Sequence, residues 1–232
     1  MCGRYTITAD ADRIAWRFGA ERPDFEFEPA YNAAPSQRLP VITESNGRRQ
    51  VVLMRWGLIP SWAKDISIGN KMINARIETV EQKPSFKKPL LHRRCLIPAD
   101  GYYEWMKIDR RKQPLRIVAS HKELFSFAGI YDRWVNSDGL IINSFSILTT
   151  EPIPPISHIH NRMPLILSAE QEQNWLDGPS SPEASSVREF LNEFYPYSSL
   201  FAYPVSTLVN NPRVNEPSLI SPMEQTTLNE NT

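Results

Sequence analysis

The spacing of apolar and polar residues predicts a strand and then a helix in the first twenty residues. Residues 3–8 alternate between apolar and polar side chains, which is typical of a strand. Four apolar residues then recur at helical spacing: Ala11, Ile14, Ala15 and Phe18. Gly19 follows them directly, so we predict a short amphipathic helix that ends at this glycine.

A hairpin is predicted next, after an ordered loop over residues 20–37. Residues 38–43 and 49–56 flank Asn46-Gly47, the dipeptide that favours a tight turn between two strands. The following stretch, 56–63, holds two tryptophans without either regular period and is predicted to be a loop. Weak helical spacing of Ile73, Ile77 and Val80 predicts a helical turn there.

From residue 91 onward the pattern is mainly that of successive strands. The predicted strands are 91–97, 101–106, 114–119, 124–134, 140–149, 163–167 and 200–206. Ser168 and Gln171 form a capping box at the start of a helix that should end at Gly178. A second helix is indicated by the spacing of Val187, Phe190, Leu191 and Phe194.

Because strands follow one another instead of alternating with helices, the predicted class is α+β. We expect a single domain over residues 1–216, with an antiparallel, partly barrel-like β core flanked by short helices. Residues 217–232 are polar and predicted to form a flexible tail.

Composition describes an ordinary globular chain. Its 232 residues are 41% apolar and 22% charged, and the formal net charge is zero, so DNA binding would need a local basic cluster. The absence of a signal segment and of a long apolar run predicts a cytoplasmic protein without membrane contact. The two cysteines, Cys2 and Cys95, make a disulfide framework or a cysteine zinc site improbable, and we expect no metal or cofactor.

Cys2 is the first candidate for chemistry. Loss of Met1 would leave a thiol and an α-amine on one residue, with ordinary pKa values of about 8.5 and about 7.7–8.0. Such an aminothiol condenses with an aldehyde to an imine and then to a five-membered thiazolidine. It could equally attack an acyl carbon with its own amine as base.

Three further segments carry polar side chains that suit this chemistry. Glu104 lies in a predicted strand, where a semi-apolar face would raise its pKa and suit it to proton transfer. His160, next to Arg162, is a plausible acid or base. Asn74 and Arg76 would share one face if their segment is extended. Each residue alone is also explained by an ordinary surface or structural role.

A basic stretch offers a surface for a polyanion. Residues 82–99 contain no acid and five basic side chains: Lys83, Lys87, Lys88, Arg93 and Arg94. With Arg4, Arg76 and Arg162 they could line a groove for phosphates, and Trp56, Trp62 and Trp105 could stack on unpaired bases. A solvated basic face with core tryptophans explains the same composition.

Taken together, the motifs resemble the SRAP family, the SOS-response-associated peptidases or abasic-site processing proteins. The matching segments run in family order from residue 1 to about 212: Met1-Cys2-Gly3-Arg4, Tyr31-Asn32-Ala33-Ala34-Pro35, residues 55–62, residues 74–79, residues 94–105, His160-Asn161-Arg162-Met163-Pro164, Val205-Ser206-Thr207 and Val209-Asn210-Asn211-Pro212.

The resemblance implies that Cys2 forms a thiazolidine crosslink with the aldehyde of an abasic site in single-stranded DNA. Asn74, Glu104 and His160 carry over as the assisting residues. The implied DNA contacts are Arg4, Trp62, Arg76, Trp105 and Arg162. We expect weak lyase activity as a side reaction, removal of Met1 by the protein itself or by an aminopeptidase, a monomer, and association with the nucleoid on damaged DNA.

Two other functions remain open from the sequence. One is an N-terminal-nucleophile amidohydrolase or peptidase, in which Cys2 attacks an amide. The other is a non-catalytic module that binds single-stranded DNA and in which Cys2 has no chemical role.

Overall fold

A computed structural model describes residues 2–120, 124–195, 197 and 199–223. Within that part the strands are β1 Tyr5–Ile7, β2 Ala20–Glu21, β3 Ala30–Ala33, β4 Arg38–Ser45, β5 Arg48–Trp56, β6 Asn74–Arg76, β7 Arg94–Ala99, β8 Gly101–Ile108, β9 Arg111–Ala119, β10 Phe125–Val135, β11 Ile141–Thr150, β12 Met163–Pro164, β13 Ile166–Leu167 and β14 Leu200–Pro204. The α-helices are α1 Ala11–Phe18, α2 Pro84–His92, α3 Ala169–Asp177 and α4 Ala184–Asn192.

Five long strands close into a barrel. They pair in the order β11, β10, β7, β4 and β5, and β5 then pairs with β11 in parallel, with Arg55 opposite Ser144 and Trp56 opposite Phe145. A second, five-stranded sheet has the order β14, β9, β8, β1 and β3. The predicted α+β fold, with a partly barrel-like core and short helices, is therefore confirmed.

Aromatic side chains join the two sheets in one core. The Trp56 ring stacks on Phe145 with 6.3 Å between centroids and meets Tyr5 of β1 edge-on at 5.2 Å. Trp56 is fully buried, and its Nε1–H donates to the Ile73 carbonyl oxygen at 2.9 Å. The hypothesis that Trp56 stacks on bases is therefore wrong, because its indole is buried in the core between residues of the two sheets.

Local sequence signals are confirmed at three places. Asp10 caps α1, and Gly19 ends it in the left-handed region at φ 58°. The β4–β5 turn has positive φ at both Asn46 and Gly47, as the Asn-Gly signal requires. Both hydrogen bonds of the capping box between Ser168 and Gln171 are present at the start of α3.

Other elements differ from the sequence prediction. The segment with weak helical spacing contains strand β6, which pairs in parallel with β11, so long-range pairing overrides the local pattern. Helix α2 was not predicted and occupies part of the predicted strand 91–97, which begins only at Arg94. The predicted loop 20–37 contains the short strands β2 and β3.

The folded unit continues past the predicted boundary at residue 216. Residues Pro217–Ile220 form a 3-10 turn in which Leu219 is fully buried. The Tyr203 hydroxyl donates to the Ile220 carbonyl oxygen at 2.9 Å, and the Met223 N–H donates to Pro204 at 2.9 Å. The prediction of a flexible tail from residue 217 is therefore wrong for residues 217–223. Residues 224–232 lie outside the described part. None of the described helices is long and apolar enough to cross a membrane.

Candidate active site around Cys2

Cys2 lies three residues before the start of β1 and is fully buried. The Asn74 Nδ2 atom donates to the Cys2 carbonyl oxygen at 2.8 Å, so the first residue of β6 anchors the N-terminal segment. The Cys2 thiol points at the Arg4 carbonyl oxygen, with Sγ 3.7 Å from it. Asn74 therefore contacts Cys2 directly, through the Cys2 backbone.

The environment of Cys2 disfavours its thiolate. Burial raises the pKa of the thiol, and the negative charge of Glu104 raises it further. Both effects oppose the charged form of the sulfur. An aminothiol reaction here consequently needs a group that takes the thiol proton or donors that stabilise the anion.

Glu104 lies on β8, beside the N-terminal segment. The Tyr103 N–H donates to the Arg4 carbonyl oxygen at 3.0 Å, which brings the following residue, Glu104, next to the start of β1. Glu104 is only 4% exposed, and burial raises the pKa of its carboxyl, while the charge of His160 works in the opposite direction. A carboxyl that keeps its proton to higher pH suits proton donation.

His160 is held in a defined tautomer when neutral. Its Nδ1 atom accepts the Arg162 N–H at 3.0 Å, so the neutral imidazole carries its proton on Nε2. The ring is half-buried and acts electrostatically on Glu104. In the described part of the chain, no group of three or more His, Cys, Asp or Glu side chains could hold a metal ion.

The end of β11 brings the remaining site segments together. One edge of β11 pairs with β6, with Ile147 opposite Asn74 and Thr149 opposite Arg76. Its other edge pairs with β12, which begins three residues after His160. Cys2, Asn74, Glu104 and His160, the four predicted catalytic residues, therefore lie around one site.

Two of the predicted DNA contacts face solvent. Arg76 is exposed on β6, two residues from Asn74. Trp62 is 59% exposed, and its loop is fixed at both sides. The Ser61 N–H donates to Asp132 at 2.8 Å, and the Trp134 Nε1–H donates to the Ala63 carbonyl oxygen at 2.7 Å. A fixed loop thus presents an exposed indole.

The other three predicted contacts make internal hydrogen bonds. Arg4 donates to the Asn32 side chain at 2.8 Å and to the Val209 carbonyl oxygen at 2.7 Å. The Trp105 Nε1–H donates to the Asn210 side chain at 2.7 Å. Both side chains therefore hold the segment around residue 210 against the second sheet.

Arg162 makes a bidentate pair with Glu78. Its two terminal nitrogens lie 2.8 and 2.9 Å from the carboxylate oxygens, and one also donates to the Thr149 carbonyl oxygen at 2.6 Å. Partial burial alone would raise the pKa of Glu78, but the hydrogen bonds from Arg162 lower it. A phosphate at Arg162 would have to share or replace this carboxylate.

The basic stretch 82–99 also contains both internally bonded and exposed side chains. Arg93 pairs with Asp132, and the Arg94 guanidinium donates to four backbone carbonyl oxygens: those of Leu90, Trp175, Leu176 and Asp177. These two arginines are structural. The three lysines, Lys83, Lys87 and Lys88, are exposed.

Asn32 is a supporting residue to which the sequence analysis assigned no role. It is 2% exposed, accepts from Arg4 and donates to the backbone carbonyls of Asn211 and Val214 at 3.0 and 2.9 Å. Its partners lie about 180 residues away in sequence, so no local pattern could reveal them. The available signal was a polar residue inside the apolar segment Tyr31–Pro35.

Comparison with known proteins defines the class. The model of the SOS response associated peptidase (SRAP) family matches residues 1–212, so the chain belongs to that family. The resemblance seen in the sequence motifs is thereby confirmed.

Particular relatives carry names that refer to DNA damage. The abasic site processing protein YoqW of Bacillus subtilis is 44% identical over 223 residues, covering 95% of this chain and 99% of the relative. The abasic site processing protein HMCES of Mus musculus is 32% identical over 241 residues, covering 87% of this chain and 67% of the relative. A crystal structure of a Bacteroides thetaiotaomicron protein is similar with a TM-score of 0.83 and 30% identity, covering 96% of this chain and all of that one.

Proposed function

We propose that this protein processes abasic sites by forming a thiazolidine crosslink between Cys2 and the ring-opened sugar in single-stranded DNA, after Met1 is removed. The names of the relatives support an abasic site as the lesion that is processed. The observation that carries the chemistry is the hydrogen bond from Asn74 to the Cys2 carbonyl oxygen, in a buried site that also contains Glu104 and His160.

The first step opens the sugar. An abasic deoxyribose is mostly a closed hemiacetal, and its aldehyde appears when a proton leaves the C1 hydroxyl and another reaches the ring oxygen. Glu104, whose pKa is raised by burial, can supply the second proton, and the His160 imidazole can accept the first.

The second step joins the α-amine to the aldehyde. The amine attacks C1, and water leaves after the carbinolamine oxygen is protonated, giving an imine. Among the described residues no donor reaches the Asn74 Oδ1 atom, although its amide partner Nδ2 binds Cys2. The Asn74 Oδ1 atom can therefore accept an N–H of the α-amine that loss of Met1 exposes on Cys2. Asn74 would then hold Cys2 by both its amine and its carbonyl oxygen.

In the third step the Cys2 sulfur adds to the imine carbon. The new C–S bond closes the ring, the electron pair of the C=N bond returns to nitrogen, and the thiol proton passes through the Glu104 carboxylate to that nitrogen. Holding both nucleophiles on one anchored residue contributes up to ~7–11 kcal/mol of proximity advantage. A reaction that stops at the imine allows β-elimination of the 3′ phosphate, which is the expected weak lyase activity.

The DNA strand is expected to follow the exposed side chains. Arg76 lies two residues from Asn74 on β6 and its exposed side chain can face a phosphate, and Trp62 offers a surface for a base stack. Arg4, Trp105 and Arg162 support the site through the internal bonds described above. Because the net charge is zero, the salt dependence of binding should be modest.

The test is incubation of the mature protein with an oligonucleotide that contains one abasic site, followed by a denaturing gel and intact mass measurement. We expect a heat-stable adduct that requires the lesion and has lost Met1. Cys2→Ala keeps the α-amine, so it should give no heat-stable adduct by itself but should be trapped as an imine by borohydride. A heat-stable adduct of Cys2→Ala without reductant would rule out the thiazolidine.

Two controls separate the other functions. Glutamine hydrolysis that depends on Cys2, with no DNA adduct, would instead identify an amidohydrolase. Equal binding of intact and abasic DNA, with no adduct in either case, would identify a non-catalytic binding module. Glu104→Ala and His160→Ala should slow the crosslink while leaving the mass of its product unchanged.

A further inference from the structure

Two buried tyrosine hydroxyls lie near Cys2 without a hydrogen-bond partner among the described residues. Tyr5 of β1 and Tyr102 of β8 are both 0% exposed, and they face each other directly across the two strands. Both rings pack edge-on against Phe127, at 5.7 and 6.1 Å. Buried phenol hydroxyls normally have a partner, so this pair requires an explanation.

Tyr5 and Tyr102 lie on the two segments that also carry Cys2 and Glu104. Tyr5 is three residues from Cys2 on the same segment, and Tyr102 is two residues from Glu104 on the same face of β8. Burial raises the pKa of both phenols, and the charge of Cys2 adds to the rise at each. Cys2, Tyr5 and Tyr102 also belong to one cluster of buried core residues, so the two phenols lie in the same part of the interior as the sulfur.

The present contact of the sulfur suits its protonated form only. The Cys2 thiol donates to the Arg4 carbonyl oxygen, with Sγ at 3.7 Å. A thiolate cannot donate, and in this place it would meet the negative end of the carbonyl dipole. The anion therefore needs donors on another side, and the phenol O–H groups are neutral donors with no other partner in the described residues.

We propose that, when Cys2 ionises, its side chain rotates away from Arg4 and accepts hydrogen bonds from the hydroxyls of Tyr102 and Tyr5, which thereby stabilise the attacking thiolate. This inference deepens the proposed function and rests on it for the role of the thiolate. It adds to the site two residues whose hydroxyls serve the sulfur, beside the groups that serve the sugar.

Several ionisable groups surround this contact. Glu104 on β8 opposes the thiolate, His160 before β12 acts on Glu104, Cys95 on β7 acts on Tyr5, and the α-amine of mature Cys2 is adjacent to the sulfur. Tyr→Phe substitution changes none of these charges. It therefore isolates the hydroxyl as the cause of any change in the acidity of Cys2.

The experiment measures alkylation of Cys2 by iodoacetamide against pH, using intact mass and peptide mapping to separate Cys2 from Cys95. Tyr102→Phe should alkylate about tenfold more slowly below the thiol pKa, because a hydrogen bond to a charged group is lost, and should reach the wild-type rate at high pH. The DNA crosslink should slow with the same pH dependence.

Tyr103→Phe is the matched control. Tyr103 is the next residue on β8, also fully buried, but its hydroxyl donates to the Tyr31 carbonyl oxygen at 2.8 Å on the other face. This variant should leave the pH profile of Cys2 unchanged. Tyr5→Phe, measured in the same way, provides the decisive second variant where Tyr102→Phe does not fold.

The outcomes are distinct. Identical alkylation profiles for wild type and both Cys2-facing variants would overturn the inference. A shifted profile in a protein that forms no DNA adduct would support the hydroxyl contact and refute the proposed function instead.

Discussion

Asn32→Ala is expected to destabilise the protein strongly and to loosen the N-terminal segment. Asn32 is 2% exposed and joins distant parts of the chain: it accepts from Arg4 and donates to the carbonyls of Val209, Asn211 and Val214. Alanine removes all four bonds and leaves two carbonyls and one guanidinium N–H to find other partners, while the Val209 carbonyl keeps its bond from Arg4.

The expected loss follows from those contacts. A buried polar group left without its partner costs about 1–3 kcal/mol, and water can reach part of this segment, so we expect the free energy of unfolding to fall by about 2–4 kcal/mol. Total stabilities of domains are about 5–15 kcal/mol, so the variant should still fold. Urea unfolding followed by tryptophan fluorescence measures the difference.

Asn215→Ala is the matched control for this measurement. Asn215 also joins two segments, accepting from the Tyr31 N–H at 2.7 Å and donating to the Pro29 carbonyl oxygen at 3.0 Å, but it is exposed. Water replaces these bonds easily, and we expect a loss of about 1 kcal/mol or less. Equal losses in the two variants would refute the assignment of Asn32 as the buried joint.

Two further predictions concern stability. Glu104→Gln should raise the free energy of unfolding at pH 7, because burial raises the folded-state pKa of Glu104 and its ionised form opposes folding. The stability contributed by the protonated carboxyl is fully present below its unfolded pKa of about 4.3 and is lost as pH rises through the folded value, so urea unfolding at pH 4 should show almost no gain. Gly19→Ala should cost about 1 kcal/mol, because Gly19 ends α1 at φ +58° in open space and the strain is purely that of the backbone. A thermal midpoint equal to that of the wild type would contradict it.

Elements with short-range signals could be predicted from the sequence, and elements set by distant partners could not. Helix α1, the β4–β5 hairpin and helix α3 have caps or turn residues within a few positions of the element they define. Strand β6 and the parallel closure of the barrel depend on β11, about 70 to 90 residues away. Helix α2 contains two prolines, which weakened its periodic signal.

The same distinction between local signals and distant partners applies to the residues of the candidate site. Cys2, Asn74, Glu104 and His160 were identified from motifs and lie together in the structure. The internal bonds of Arg4, Trp105 and Arg162 were not foreseen, because a charged or aromatic side chain carries the same signal whether it binds a phosphate or a neighbouring loop. Only their partners in three dimensions reveal the difference.

The pairing at the C-terminal end of β11 determines how the site segments can move together. Its residues 147–150 hold the segment of Asn74 on one edge and the segment following His160 on the other, while the rest of the strand belongs to the closed barrel. Breathing of the barrel wall should therefore carry both side chains in the same direction, so that the gap between them stays constant, and the hydrogen bond from Asn74 should carry Cys2 along with them.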